Sequence, residues 1–214
     1  MIKKILFFII SLFFISSCNK NVSREVEVYH NDFETNDLTN ITNGVISTYN
    51  HSAVLGQYNN GNFILTLNNL PKHDIITITF DLYIHDSWDG NKTAPDGPDI
   101  WRMFINGDPF INTTFSNAPC SKGNFCSPQS YPNDYPNDNN NPRAGAYRVN
   151  LPGVCSWKTD PNGTTLYKIS KTFKNSESKL VLQCVDKLVQ TNTDDPKCDE
   201  SWSVDNISVK AITL

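Results

Sequence analysis

From Asp74 to Ile84 the chain reads DIITITFDLYI, with Ile76, Ile78, Phe80, Leu82 and Ile84 on one parity and Thr77, Thr79, Asp81 and Tyr83 on the other. Strict alternation of this kind marks a half-buried strand with one face on a core. Weaker runs of the same period are REVEVY, GVISTY, NFILTL, DIWRMFI, PFINTTF, TTLYKISKTF, KLVLQCV and SWSVDNISVKAI, with Asn, Gly, Asp and Pro between them. About ten such strands with polar outer faces predict an all-β, antiparallel sandwich. A parallel sheet buried on both faces would not alternate.

Two stretches break the pattern. In DESWSVDNISV, Trp202 and Val204 share one parity while Ile207 and Val209 take the other, so the apolar face changes sides at Asp205. A shift of one residue flips a strand, so a bulge is predicted at Asp205 and Asn206, and a bound cation is the expected holder. The second break runs from Asn117 to Gly163 and contains SYPNDYPNDNNNP, in which Tyr131-Pro132-Asn133-Asp134 repeats as Tyr135-Pro136-Asn137-Asp138. Proline removes backbone donors and asparagine competes for backbone bonds, which predicts one long loop over 117–163.

The amino terminus, MIKKILFFIISLFFISSC, adds a compartment. Two lysines, an apolar run too short to span a membrane comfortably, and small residues before a cysteine resemble a bacterial lipoprotein signal. The expected division is a signal peptide over 1–17, a lipidated Cys18 with a tether over 18–24, and a sandwich domain over 25–214. The membrane partner is then the lipid anchor, and the expected location is the cell envelope, at the outer membrane. The formal charge of −4 with dispersed basic residues gives no electrostatic footprint for nucleic acid. Outside the cytoplasm Cys120, Cys126, Cys155, Cys184 and Cys198 are disulfide candidates. Cys184 and Cys198 flank one strand-to-strand connection and are the preferred pair. Cys120 and Cys126 close a small loop, or Cys126 pairs with Cys155; either choice staples the long loop.

FDLYIHDSWDGN, FSNAPCSKGNFCSPQSYPNDYPND, NPRAGAYRVN and DESWSVDNISV together resemble successive signatures of an uncharacterised bacterial extracellular β-sandwich domain found in secreted and surface-anchored proteins. The resemblance runs from about Phe33 to Val209 and implies no activity. The chain departs from it in the cysteines around Gln129-Ser130-Tyr131-Pro132 and in the lipid anchor. HNDFETNDL and WSVDNISV are similar to the first and last strands of jelly-roll carbohydrate-binding modules and of the MAM adhesion domain. That likeness implies a jelly-roll-like sandwich in which Glu34 and Asp205 share one structural calcium.

A second acidic group lies in HDSWDGNKTAPDGPD, where Asp86, Asp89, Asn91 and Asp99 offer oxygen ligands at close spacing around Trp88. The group lacks the loop length and terminal glutamate of an EF-hand, and turn chemistry alone explains its acids. Trp88 reads as a lid over the end of the core and as a candidate ligand contact. Tyr131 and Tyr135, beside Asn133, Asp134, Asn137 and Asp138, form a candidate sugar-binding set of flat rings and orienting polar groups. No metalloprotease, nucleophile-elbow or phosphate-loop motif is present, and His30, His51, His73 and His85 are scattered. The expected function is a non-catalytic binding or adhesion module for a glycan or a surface protein. The alternatives are an envelope assembly subunit, and a carbohydrate-active hydrolase, which needs two carboxylates across a cleft.

Overall fold

The computed structural model of the chain describes residues 22–117, 126–137, 139–155, 157–189 and 193–214. Cys18 and Cys120 lie outside these residues. Among the described residues run twelve strands: β1 (Arg24–Asn31), β2 (Ile41–Thr42), β3 (Ile46–Tyr49), β4 (Ser52–Tyr58), β5 (Asn62–Leu67), β6 (Ile75–Asp86), β7 (Ile100–Ile105), β8 (Asp108–Thr114), β9 (Arg148–Leu151), β10 (Thr164–Lys174), β11 (Leu180–Lys187) and β12 (Glu200–Thr213). One helical turn, α1 (Pro196–Asp199), precedes β12. The strands form two antiparallel sheets. The seven-stranded sheet has the order β3-β4-β12-β6-β10-β9, with β1 also on β12, and the five-stranded sheet has the order β2-β5-β11-β7-β8.

The alternation of β6 does what its period requires. Ile76, Ile78, Phe80, Leu82 and Ile84 are buried and share one core with Leu65, Met103 and Leu182 of the smaller sheet. Each such side chain contributes about 1.5–3 kcal/mol of transfer free energy, against which the ordering of the chain must be set.

β12 carries the predicted bulge. Asp205 pairs with Asp81 and Ser208 with Thr79, so β12 advances three residues while β6 advances two. The extra residue is Asn206, in the left-handed region at φ 54°. Asparagine tolerates that region better than other residues with a side chain beyond Cβ. Its side chain donates to Asp81 Oδ2 (3.2 Å), and its N–H donates to Asp205 Oδ1 (2.7 Å). Trp202 and Val204 before the bulge, and Ile207, Val209 and Ala211 after it, therefore all reach the core. The other flank of β12 changes partner at the same point. Trp202 to Val204 pair with β4, whereas Ile207 to Thr213 pair with β1.

The Tyr-Pro repeat covers the free edge of β8. Tyr131 N donates to Thr114 O (3.2 Å) and Tyr135 N to Asn112 O (2.7 Å), while Asn133 N and Asn137 N close turns onto Ser130 O and Asp134 O (both 2.9 Å). Each repeat is one turn, and a period of four along the loop meets carbonyls two residues apart on the strand. An unpaired edge strand invites pairing with other chains, and here the loop takes its acceptors. Gln129 anchors the cover from a fully buried position. Its Oε1 accepts from Ser116 N, Arg143 N and Tyr167 Oη, and its Nε2 donates to Tyr131 O and Ala144 O. The long stretch thus packs on the sandwich and contributes β9, which the sequence pattern placed in irregular loop.

The cysteine pairing differs from expectation. Cys155 is bonded to Cys198, closing a sequence separation of 43, and Cys184 is a buried free thiol. Cys184 cannot meet Cys198, because it sits on the core parity of β11 opposite Phe63 and Met103 while Cys198 belongs to a helical turn with no buried residue. Cys126 is disulfide-bonded, and the expected Cys120–Cys126 loop falls partly outside the described residues. Peptide mapping without reduction should recover a fragment linking Cys155 to Cys198. Cys198→Ser should cost about 3–4 kcal/mol in urea unfolding. Cys184 should resist thiol reagents until the protein is unfolded, and its labelling in the native state would contradict this core.

Candidate functional site

An open groove of about 500 Å³ lies on the outer face of the smaller sheet, lined by Arg102 and Phe104 of β7, Phe110 and Asn112 of β8, and Asp134, Tyr135 and Asn137 of the Tyr-Pro loop. Local folding rules place each wall. Arg102 and Phe104 hold the outer parity of β7, because Trp101, Met103 and Ile105 take the core. Pairing steps from Met103–Ile111 to Phe104–Pro109, which leaves Phe110 as the extra residue of a bulge and turns its ring to the sheet edge. There it meets Phe173 with ring centroids 4.9 Å apart. Arg102 Nε donates to Asn112 Oδ1 (2.9 Å) and Asn112 Nδ2 donates to Tyr135 O (3.1 Å), so strand and loop are tied across the floor.

The two tyrosines of the repeat separate in role. Tyr135 is half-buried and lines the groove. Tyr131 packs inward, with ring centroids 4.9 Å from Phe115 and 5.0 Å from Tyr167. Trp88 is wholly buried, donates from Nε1 to Ser201 O (2.9 Å) and packs edge-on against Phe115. Full burial removes Trp88 from ligand contact, while Tyr131, half-buried, also lines a small cavity of about 220 Å³ at the β8 edge. Arg102, Phe104 and Phe110 were missed in the sequence, where they read as ordinary strand residues.

The acids around Trp88 do not act together. Asp86 Oδ1 accepts from Val154 N and Trp157 N (both 3.2 Å), Asp99 accepts from Asp89 N (2.6 Å) and Val189 N (3.2 Å), and Asp89 pairs with Lys92 (3.3 Å). Asn91 Oδ1 accepts from the hydroxyls of Thr114 and Ser130. Protein donors thus take several of the oxygens that a calcium would use, whereas Asp86 Oδ2 is buried without a hydrogen-bond partner. Among the described residues no three His, Cys, Asp or Glu converge in a metal-holding arrangement. Burial pushes the Asp86 carboxyl up to about 6 and the Asp99 carboxyl up to about 7.

Glu34 and Asp205 meet different partners. Glu34 Oε1 accepts from Ala53 N (3.0 Å) and from Ser52 Oγ at the start of β4. Asp205 is buried at the bulge. Burial pushes its carboxyl up to about 6 against the lowering by Asn206 N–H, and the charges of Asp81, Glu34 and Asp32 push it the same way. Lys168 Nζ stands 2.7 Å from Asp81. Above this cluster His85 lies wholly buried, 2.9 Å from Thr164 Oγ1 and 2.7 Å from Ser203 Oγ, with burial lowering it to about 3. Its ring is a neutral strut under Tyr49, whose ring centroid is 4.6 Å away.

No protein-family model and no curated protein matches the sequence. Solved structures with similar architecture include a family 35 carbohydrate binding module from Clostridium thermocellum, at 14% identity over 79% of this chain and 88% of that one, with a TM-score of 0.35. The CBM22-2 xylan-binding domain of Paenibacillus barcinonensis Xyn10C matches at 12% identity over 86% and 98% of the two chains, with a TM-score of 0.37. Dimeric latent PorU from Porphyromonas gingivalis matches at 9% identity over 91% of this chain and 14% of its own, with a TM-score of 0.44. The likeness is one of β-sandwich architecture at low identity.

Truncating the two tyrosines should separate their roles. Tyr131→Ala should cost about 3 kcal/mol in urea unfolding, as an aromatic ring lost from packing against Phe115 and Tyr167 does. Tyr135→Ala should cost less than about 1 kcal/mol. Equal losses would mean that the groove wall is part of the core.

Proposed function

We propose that the protein is a non-catalytic glycan-binding module whose site is the groove beside Tyr135, carried on an exported chain that is lipid-anchored at Cys18. What supports the reading is one observation: Phe104, Phe110 and Tyr135 bring partly exposed rings together beside Arg102, Asn112, Asp134 and Asn137. Sugars present apolar C–H faces that stack on such rings and hydroxyls that exchange hydrogen bonds with such polar groups. An assembly subunit would be favoured by a broad apolar patch or an uncharged open edge. Instead the large exposed apolar residues among those described are few and fall in three places, Val22 with Leu214 at the chain ends, Val45, and Tyr147 with Val149. The edge strand β1 carries Arg24, Glu25 and Glu27, and β8 is covered. In a screen of oligosaccharides, Tyr135→Ala should weaken binding of any captured glycan by about tenfold or more while the protein stays folded. Unchanged affinity would move the site elsewhere.

We also propose one structural calcium at Glu34 and Asp205. What supports it is the raised Asp205 carboxyl, which burial pushes up first and the charges of Asp81, Glu34 and Asp32 push further, with Lys168 as the ion-pair partner of Asp81. Two carboxylates fall short of the six to eight oxygens calcium takes, so backbone carbonyls and water would complete the set. Protein donors already hold the bulge, so the ion would add to it rather than create it. A carboxyl raised in the folded state stabilises the protein when protonated, and that contribution is lost as pH rises through its folded value. Without calcium, stability should therefore fall from about pH 4 to about pH 7, between the ordinary carboxylate value and the raised values of Asp205, Asp86 and Asp99. Calcium should offset the Asp205 share, raising the melting temperature of chelator-stripped protein more at about pH 8 than at about pH 5. Asp205→Ala should lose that response. Equal melting temperatures with and without millimolar calcium at both pH values would overturn the site.

A further inference from the structure

We infer that the groove beside Tyr135 selects acidic glycans, with Arg102 receiving the carboxylate of a uronic acid unit; the inference rests on the glycan-binding reading of that groove. The ion pairs among the described residues engage only Lys92, Lys168 and Lys210 of the lysines and arginines, so an unpaired cation is common here; what is particular is a half-buried one set in an aromatic-walled groove. Arg102 is such a cation. Its Nε is spent on Asn112 Oδ1 (2.9 Å), which fixes the plane of the guanidinium, and no carboxylate among the described residues stands within ion-pair distance. The acid nearest to it along the groove wall, Asp134, aligns its Oδ1 with Asn112 N (3.4 Å). What remains of Arg102 is a planar fork of N–H donors held at the floor of a groove with aromatic walls.

A second cation borders the same aromatic. A smaller cavity of about 220 Å³ adjoins across the β8 edge and shares Phe110, Ile111 and Asp134 with the groove. Lys171 lines it, half-buried and likewise without an ion-pair partner among the described residues. By contrast, the neighbouring Lys168 is held by Asp81. The unpaired positive groups of this face thus flank Phe110, on either side of the covered edge. Net negative charge elsewhere does not cancel them, since exposed charges are screened beyond about 8 Å at physiological ionic strength.

The chemistry of the two cations narrows the anion. Arginine presents parallel N–H groups that match the two oxygens of a carboxylate, and with Nε already bound the outer edge of the guanidinium is the free one. A uronic acid unit combines that carboxylate with an apolar ring face suited to Phe104, Phe110 or Tyr135, whereas a free inorganic anion would leave the rings unused. A neutral sugar would leave Arg102 desolvated without compensation, which is the kind of loss that discriminates between ligands.

The test compares a galacturonate oligomer with the same oligomer after reduction of its carboxyls to alcohols, by calorimetry on the full exported chain. The uronate should bind about 10–100-fold more tightly than its reduced form, and the difference should shrink with added salt. Arg102→Gln should bring the uronate down to the level of the reduced oligomer, and Arg102→Lys should recover part of the preference by charge without the fork. Equal binding of the two oligomers by the unmodified protein, or a preference that survives Arg102→Gln, overturns the acidic selectivity and leaves the glycan reading standing. If neither these oligomers nor any neutral glycan binds, the glycan reading falls with it. The comparison of the two oligomers on the unmodified chain decides the matter even if the variants fold poorly.

Discussion

The sandwich depends on a single demand placed on β12. This strand of fourteen residues pairs with β6 on one flank, and on the other flank it must satisfy two strands laid end to end, β4 and β1. A continuous register could not serve both while keeping every apolar side chain on the inner face. The extra residue at Asn206 resolves the conflict, because it re-phases the strand where the neighbour changes. The chain leaving β1 then fills the junction. Asn31 Oδ1 accepts from Phe33 N (2.8 Å), Phe33 drops into the core, and Glu34 accepts from the amide of Ala53, the second residue of β4. The start and end of the sandwich are thus fastened at one spot, and the acids collected there follow from that fastening.

What the sequence discloses depends on whether a segment has one wet face. β6 is legible because its outer row is polar and its inner row apolar. β4 is not, because Val54 and Leu55 are both buried on opposite faces and Gly56 lies so close to Ser203 that an added Cβ would stand 2.7 Å from it. Alternation cannot appear where neither face meets water. β9 fails for the opposite reason, since only Leu151 of its four residues is buried. The bulge at Asp205 was legible as a change of parity, but its cause was not, since the switch from β4 to β1 exists only in the pairing. The same holds for the cysteines. Cys184 and Cys198 are close in sequence, yet one faces the core and the other lies outside it.

The acids show why proximity along the chain is a poor guide to a site. Asp86, Asp89, Asn91 and Asp99 are crowded in the sequence, and the fold disperses them to separate duties on backbone amides, a lysine and two hydroxyls. Asp32 with Glu34, Asp81 and Asp205 come from three distant segments; cross-strand register sets Asp205 opposite Asp81, and the charges of the other three reach Asp205. A loop rich in Asp and Asn tends to satisfy its own backbone first, as these residues do in turns. Local donors serve this second group too, since Glu34 N donates to Asp32 Oδ1 (3.2 Å) and Asn206 N to Asp205 Oδ1 (2.7 Å), yet burial and the neighbouring charges still hold the Asp205 carboxyl up.

The groove and the covered edge are one construction. To take the carbonyls of Asn112 and Thr114, the loop needs only the amides of Tyr135 and Tyr131, one from each turn. Backbone does that work, so the outward side chains of Tyr135 and Asn137 are free of it, while Asp134 Oδ1 also accepts from Asn112 N (3.4 Å). Tyr131 is not free, because Gln129 and the core beneath it fix the first turn. The loop therefore divides into a turn whose side chain belongs to the fold and a turn whose side chains belong to the surface. Substitutions in the second turn can reshape the groove without reopening the edge, provided that the amide of residue 135 is kept. A repeat that reads as low complexity thereby joins protection of a strand edge to an adaptable wall of a surface groove.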